Sequence, residues 1–243
     1  MHRAFISKDQ LQPALNASSF VLPKDIAHRF VRVLRLKTGS VVELFDGHGT
    51  RVQGELDVGP QATLEQIRVF VDESRMNSLV LAQAMIKTDK LEWLVQKAVE
   101  LGATAIVLFD AERSIVRWDD KAPQKLERLE RIAADASRQC GRSDMPVLLG
   151  PLNFDELKDY VADFKGLSLL GDLGAGVPAL VSLLGGEPRP TLILVGPEGD
   201  FSKTEKEQLF ALGVKGCRFA SHVLRSETAG MAALAIMGAH RMS

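Results

Sequence analysis

The chain has 243 residues, of which 46% are hydrophobic, and it carries 30 basic and 31 acidic side chains. The length allows one large domain or two unequal ones, and the near-zero net charge excludes attraction of a polyanion by a global positive field, so nucleic-acid binding would need local basic patches. Two cysteines without a CxxC spacing, Cys140 and Cys217, argue against a disulfide framework and a zinc site.

The N-terminal segment and the hydropathy pattern predict where the protein resides. The segment MHRAFISKDQ lacks the apolar core of a secretion signal. No run approaches the roughly 18 to 20 apolar residues that a membrane helix requires. We therefore expect a soluble, unprocessed, cytoplasmic protein with no membrane contact and no bound metal.

Residues 1–72 have the short, alternating pattern that is typical of β-strands. The segments SVVELF, TRVQGELDV and ATLEQIRVFV begin at residues 40, 50 and 62, and DGHG and GP turns separate them, which predicts a small antiparallel sheet or barrel. A short helix is predicted at about residues 25–35, with Ile26, Phe30 and Val33 on its apolar side. The polar stretch DESRMN, residues 72–77, is predicted as the boundary between domains 1–72 and 78–243.

After Ser78 the pattern changes to alternating strands and helices. The predicted strands are LVLAQAMI, TAIVLF, TLILV and CRFA, which begin at residues 79, 104, 191 and 217. Helices are predicted at 89–101 and about 124–141, the first with Leu91, Leu94, Val95 and Ala98 on one face. This alternation predicts an α/β domain with a mostly parallel sheet covered by helices.

The segment ILVGPEGDFSKTE, residues 193–205, places glycines at the end of a predicted buried strand. Ligands of open α/β sheets bind beyond such carboxyl ends, and Gly196 and Gly199 allow close approach to the backbone while Pro197 stiffens the loop. Ser202 and Glu205 form a capping box for the next helix. The spacing alone is equally compatible with a plain tight turn and a solvated Glu198.

A nucleotide-phosphate site is not indicated. The chain has no GxxxxGK[ST] sequence, and GDLGAG, residues 171–176, does not have the GxGxxG spacing. We therefore expect the pocket to recognise its ligand through backbone groups and an apolar wall.

A second candidate segment is VLRSETAGMAALAIMGAH, residues 223–240. Ser226 is suited to cap a helix that carries Glu227 in its first turn, where a negative charge is favourable. The small residues that follow suit a close helix contact, between subunits or within a buried core. The buried-core alternative does not explain Arg225, a charge between an apolar segment and a helix start.

Taken together, the segments LVGPEGDFSKTE and VLRSETA resemble the paired signature of the RsmE family, SPOUT-class RNA methyltransferases that methylate N3 of a uridine in small-subunit ribosomal RNA. Further segments are similar to family segments. They are HRFVRVLRLKTGSVVELFDGHG, QAMIKTDKLEWLVQKAVELGATAI, ERSIVRW and RIAADASRQCGRSDMP, beginning at residues 28, 83, 112 and 131.

The resemblance implies a fold, a cofactor and partners. It implies an RNA-binding PUA-like β-barrel followed by an α/β SPOUT domain with a trefoil knot, S-adenosylmethionine as methyl donor, a homodimer, and ribosomal RNA within the small subunit as substrate. The cofactor would lie in the loops of the knot. The cofactor residues so implied are Leu170, Leu194, Gly196, Pro197, Glu198, Gly199, Phe219, Ala220, Val223, Leu224, Arg225 and Glu227.

The chain departs from the family pattern at two places. Asp200 stands where members usually have a glycine, and Phe219, Ala220 and His222 stand where they have a Leu-Gly pair and an arginine. We expect Ala220 still to permit cofactor approach, and the RNA contact of the missing arginine to be lost or to pass to His222.

Two residues are predicted to be catalytic. The N3 position of uracil holds a proton, so the site must help to remove it or stabilise the anion. Arg225 is predicted to stabilise that charge, and Glu198 to accept the proton or to hold cofactor or substrate groups. The alternative for Arg225 is an ion pair with Glu198 or Glu227 that only organises the loops.

Basic residues in two segments are predicted to contact RNA phosphates. Arg138 and Arg142 align with Arg131 on one face of the helix at 124–141, and a solvated face is the alternative reading. Residues of the short helix at 25–35 supply the second patch, suited to backbone positioning, and they are Arg29, Arg32 and Arg35.

Two other functions stay open at this point. One is another SPOUT activity, such as ribose 2′-O-methylation of RNA, and the other is a catalytically silent RNA-binding scaffold. The presence of both loop signatures argues against the scaffold.

Overall fold

A computed structural model describes residues 1–71, 78–118 and 122–242. Within these ranges the chain forms two compact units, residues 1–71 with 134–145, and residues 78–118 and 122–133 with 146–242. The predicted boundary at 72–77 lies outside the described residues. Residues 134–145, which the sequence placed in the second domain, group with the first unit.

The first unit is built on a five-stranded mixed sheet. Its strands are β1 (His2–Phe5), β2 (Ser19–Val21), β3 (Ser40–Phe45), β4 (Thr50–Asp57) and β5 (Thr63–Val71), in the order β1-β3-β4-β5-β2. Strand β1 runs parallel to β3, and the other neighbours are antiparallel. The three antiparallel strands predicted in this region are thus confirmed, whereas β1 and β2 are too short to show a period-2 pattern.

The short helix of the first unit differs from its prediction in its winding and in its end, since it stops at Val33 and Arg35, with a φ of 53°, lies beyond it. Helix α1 covers Lys8–Leu11 and helix α2 covers Lys24–His28, after which Arg29–Val33 form a π-helical turn. Ile26 and Phe30 are buried as predicted, but Val33 is 62% exposed. The wider turn changes the angular step between residues, so an apolar side extrapolated at 3.6 residues per turn no longer holds for Val33.

The second unit contains a six-stranded sheet in which every pair is parallel, as predicted. Its strands are β6 (Leu79–Ala84), β7 (Ala105–Phe109), β8 (Val147–Leu152), β9 (Leu167–Gly171), β10 (Thr191–Val195) and β11 (Lys215–Cys217). The strand predicted as CRFA, residues 217–220, is misplaced, because β11 covers Lys215–Cys217 and shares only Cys217 with it. The strand order is β11-β9-β10-β6-β7-β8. Strands β7 and β8 are therefore added on one side of β6 and the later strands on the other side, where β10 lies between β9 and β6.

Five further helices follow the predicted alternation. They are α3 (Thr88–Glu100), α4 (Ala122–Cys140), α5 (Phe154–Asp163), α6 (Lys203–Ala211) and α7 (Ser226–Met242). The predicted apolar face of α3 is buried, and the Ser202–Glu205 capping box of α6 forms. No described helix is both long and apolar enough to cross a bilayer.

Helix α7 uses one of its small residues for packing within the chain. A Cβ placed on Gly230 would lie 3.3 Å from the Leu81 side chain and 3.4 Å from Gln83 Oε1, so the glycine lets the helix approach β6 closely. The buried-core reading of this helix therefore holds at Gly230.

Candidate active site

A cleft of about 340 Å³ opens at the carboxyl ends of β9, β10 and β11, where the first turn of α7 contributes to its wall. Both segments that the sequence singled out, residues 193–205 and 223–240, contribute to it. The predicted residues that line the cleft are Gly196, Pro197, Glu198, Phe219, Ala220, His222, Val223, Leu224 and Arg225. The strand order explains this meeting, because it places β9, β10 and β11 side by side.

Four predicted cofactor residues do not line the cleft. Leu170 and Leu194 are fully buried in β9 and β10, where their side chains belong to the core of the sheet. Gly199 turns away, and its carbonyl accepts a hydrogen bond from Arg113 Nη1 at 3.0 Å. Glu227 is buried at the start of α7. The sequence could not separate these residues from the lining because all four adjoin lining positions.

Two glycines at the strand ends let aromatic rings lie directly against the backbone. A Cβ on Gly171 would lie 2.7 Å from Phe219 Cε2, and a Cβ on Gly196 would lie 3.0 Å from Phe201 Cδ2. Phe201 in turn stacks on Phe109 with ring centroids 5.8 Å apart. Gly171 therefore fixes the place of Phe219 in the cleft wall. Gly196 allows close approach to its backbone, as predicted, but the group that approaches it within the chain is the buried ring of Phe201.

A buried hydrogen-bond chain joins α7 to the loop after β10. Ser226 Oγ donates to the Gly196 carbonyl at 2.5 Å and accepts from Gln83 Nε2 at 2.8 Å. The predicted role of Ser226 as helix cap is thus wrong, since it is the first residue of α7 and its hydroxyl serves the loop. Gln83 was missed, although a glutamine inside the apolar run LVLAQAMI was a visible signal.

Lys90 lies between the two carboxylates that were considered as partners of Arg225. Its Nζ is 3.5 Å from Glu198 Oε1 and 3.5 Å from Glu227 Oε1. Within the described ranges Arg225 forms no ion pair, and its exposed side chain lines the cleft. The loop-organising ion pair considered for Arg225 is therefore made by Lys90, a residue that the sequence analysis missed.

A second charged group joins two of the cleft loops. Lys206 Nζ lies 2.8 Å from Asp172 Oδ1 and 2.8 Å from Asp200 Oδ2. Burial acts to raise the pKa of Asp172, but hydrogen bonds and the charge of Lys206 outweigh it and hold that pKa below its ordinary value. Burial acts to lower the pKa of Lys206, and the two aspartates outweigh it and hold that pKa above its ordinary value. Both shifts favour the charged forms, so Asp172 and Lys206 are both charged at neutral pH.

Cys217 lines the cleft, but its thiol is not activated as a nucleophile. Burial and the nearby charge of Asp172 raise the pKa of its thiol to about 12. The thiolate is the nucleophilic form of cysteine, and it is scarcely populated at neutral pH. Cys217 is therefore not suited to act as a nucleophile in the cleft.

The arginines predicted to contact RNA all belong to the first unit. Arg32 and Arg35 are exposed, and Arg29 is partly buried. Arg138 pairs with Asp135 at 3.2 Å and Arg142 with Asp144 at 2.7 Å, so their charges are partly neutralised. His222 belongs to the second unit, where it lines the cleft.

Comparison with known proteins identifies both units. A model of the RNA methyltransferase domain matches residues 72–238, and a model of the RNA methyltransferase PUA domain matches residues 22–61. The ribosomal RNA small subunit methyltransferase E of Bacillus subtilis is 31% identical, over 96% of this chain and 94% of that protein.

Two solved structures are similar over nearly the whole chain. A putative methyltransferase from Legionella pneumophila, in complex with S-adenosylmethionine, is 26% identical with a TM-score of 0.81, covering 98% of this chain and 96% of that one. A ribosomal RNA small subunit methyltransferase E from Neisseria gonorrhoeae, bound to S-adenosyl methionine, is 27% identical with a TM-score of 0.80, covering 98% and 97%.

These matches confirm the expected architecture, a PUA-like domain followed by a SPOUT-type α/β methyltransferase domain. The family model spans more than half of the chain, and the match to the Bacillus subtilis protein spans nearly all of it. The chain therefore belongs to the ribosomal RNA small subunit methyltransferase E family, the RsmE family.

Proposed function

We propose that this protein transfers a methyl group from S-adenosylmethionine to N3 of a uridine in small-subunit ribosomal RNA. The observation that carries the proposal is that the loops after β9, β10 and β11 meet the first turn of α7 in one cleft. Support for the cofactor comes from the two similar structures described above, which bind S-adenosylmethionine. The homodimer, the trefoil knot and an assembled small subunit as substrate are part of the same proposal and rest on the family resemblance.

The residues of the cleft fit this cofactor. Val223 is 76% exposed and Leu173 56% exposed, and with Phe219 they offer apolar surface to a heterocyclic ring. Backbone groups around Gly196 and Leu224 would hold its polar groups. Glu198 and Asp172 also belong to the lining, where Lys90 and Lys206 partly neutralise their carboxylates. When bound, the cofactor supplies an electrophilic methyl group on a positively charged sulfur.

The chain's own residues then act on the uracil. N3 must lose its proton before its lone pair can attack, and the negative charge that develops spreads to the neighbouring carbonyl oxygens. Arg225 lines the cleft with no ion pair in the described part of the chain, so its guanidinium is free to stabilise that charge. Glu198 lies 3.5 Å from Lys90 and lines the same cleft as Arg225, which supports it as the proposed acceptor of the proton.

The direct test uses small ribosomal subunits from cells that lack this protein, so that its target nucleotide is unmodified. Purified protein and S-adenosylmethionine with a labelled methyl group are added, the RNA is digested, and nucleosides are identified by mass spectrometry. Label in N3-methyluridine is expected. Label on a ribose would instead support the 2′-O-methylation alternative, and cofactor binding without label on subunits or on naked RNA would contradict the proposed substrate.

RNA binding by the first unit can be tested through its salt dependence. We expect Arg32→Ala to lower the slope of log Kd against log salt by about 0.7 to 0.9, because one phosphate contact releases about that many counterions. Arg142→Ala is expected to change the slope less, since Asp144 already neutralises part of its charge. The measurement is fluorescence anisotropy with a ribosomal RNA fragment, and Lys165→Ala, an exposed lysine of the second unit, is the control. An unchanged slope for Arg32→Ala would show that this arginine is only solvated.

A further inference from the structure

Two loops of the cleft are joined through one lysine of α6. Lys206 donates hydrogen bonds of 2.8 Å to Asp172, which follows β9, and of 2.8 Å to Asp200, in the loop after β10. Both aspartates line the cleft. The side chains of Lys206 and Asp172 are only 20% and 12% exposed, whereas that of Asp200 is 43% exposed. The contact with Asp172 is therefore the better shielded from solvent and salt.

Asp172 is also anchored to the third strand of the site. Its main-chain N–H donates to the Cys217 carbonyl at 2.9 Å, and its Oδ1 accepts from the Gly174 N–H at 3.2 Å. Gly216 leaves room for the carboxylate, since a Cβ there would lie 3.1 Å from Asp172 Oδ2. Because Asp172 also contacts β11, Lys206 is connected through its two aspartates to all three strand ends that form the cleft.

Asp200 adopts a backbone conformation that favours glycine, and its carboxylate forms hydrogen bonds that glycine could not form. Its φ of 61° lies in the left-handed region, which glycine adopts most readily and which aspartate tolerates better than most residues. Glycine would therefore suit the backbone better. The carboxylate nevertheless uses both oxygens within the site, accepting from the Phe201 N–H at 2.7 Å and from Lys206 at 2.8 Å.

We propose that Lys206 is a positioning residue which, through Asp172 and Asp200, holds the loops after β9 and β10 in the conformation that binds the cofactor. The inference rests on the proposed function, because it takes S-adenosylmethionine as the ligand. Loops that are already ordered lose less conformational entropy on binding, so the ion pairs raise cofactor affinity without touching the reacting atoms.

The test compares Lys206→Met with Lys203→Met, a control on the same helix whose side chain is 90% exposed. Lys206→Met is expected to raise the Kd for S-adenosylmethionine, measured by calorimetry, about tenfold, while kcat at saturating cofactor stays within about twofold of wild type. Lys203→Met is expected to bind like wild type. A lower melting temperature of Lys206→Met with an unchanged Kd would overturn the inference, because the lysine would then serve stability alone.

A second variant keeps the test sound if Lys206→Met folds poorly. Asp200→Gly suits the left-handed backbone and removes the carboxylate, so it is expected to fold and to weaken cofactor binding by roughly threefold to tenfold. The double variant with Lys206→Met is expected to lose less cofactor affinity than the two single changes added together, because both remove the same contact between Lys206 and Asp200. Strictly additive losses, or none, would overturn the inference. Failure of the wild-type protein to bind S-adenosylmethionine would instead contradict the proposed function itself.

Discussion

Replacing Arg225 by alanine is expected to lower kcat by about 10² to 10³, the usual effect of removing one group that stabilises transition-state charge. The Kd for S-adenosylmethionine is expected to stay within about twofold of wild type. The reason lies in the geometry of the cleft. Arg225 lines it without an ion pair in the described ranges, and Lys90 makes the contacts to Glu198 and Glu227 that organise the loops.

The measurement is single-turnover methylation of small ribosomal subunits together with calorimetric titration of the cofactor. Arg225→Lys keeps the charge but not the planar fork of donors, so a partial rescue is expected. Lys215→Ala, an exposed change on β11, is the control that should leave both quantities unaltered. Equal losses in kcat and cofactor affinity for Arg225→Ala would show that the arginine organises the site and does not stabilise the developing charge.

Replacing Gly171 by alanine is expected to weaken cofactor binding by at least about tenfold, since displacing a cleft wall by a fraction of an ångström disturbs a fitted site. The added methyl group would lie 2.7 Å from Phe219 Cε2, a distance that real Cβ contacts do not show, so the ring must move. Phe219 lines the cleft, and its displacement changes the surface that the cofactor meets. Overpacking of this kind also costs about 1 to 3 kcal/mol of folding free energy.

Calorimetry with S-adenosylmethionine and thermal unfolding without it separate the two effects. Gly185→Ala is the matched control, because a Cβ there has no atom within 4 Å in the described structure. Adding Phe219→Leu to Gly171→Ala shortens the ring side chain and is expected to restore part of the folding stability. An unchanged cofactor Kd for Gly171→Ala would mean that the wall at Phe219 does not contact the cofactor.

Local sequence patterns predicted several elements of the second unit, but not β8, α5 or β9. The 3.6-residue period of α3 predicted which of its residues are buried, and the Ser202–Glu205 spacing predicted the start of α6. Such features depend on hydrogen bonds and burial within one or two turns of chain. The π-helical turn at Arg29–Val33 shows the limit, because a change in local winding moved Val33 into solvent without a signal in the pattern.

The contacts that organise the cleft could not be predicted in this way. Gln83 and Ser226 are 143 residues apart, and Asp172 and Lys206 are 34 apart. The sequence shows each of these four residues as a polar residue, but it does not show which residue each one contacts, because the contacts depend on which strands are neighbours. The ion pairs of Glu198 and Glu227 with Lys90 were missed for the same reason, since α3 reaches these carboxylates only in the folded chain.

The sequence by itself determined the alternation of strands and helices, the paired loop segments at residues 193–205 and 223–240, and the family to which the chain belongs. Those properties are encoded by residue type and short-range spacing. Only the tertiary structure decided that Arg225 lines the cleft without an ion-pair partner in the described residues, that Lys90 pairs with Glu198, and that Lys206 joins two of the loops. The physical reason is the strand order β11-β9-β10-β6-β7-β8, which brings distant segments together at one sheet edge and which no local period encodes.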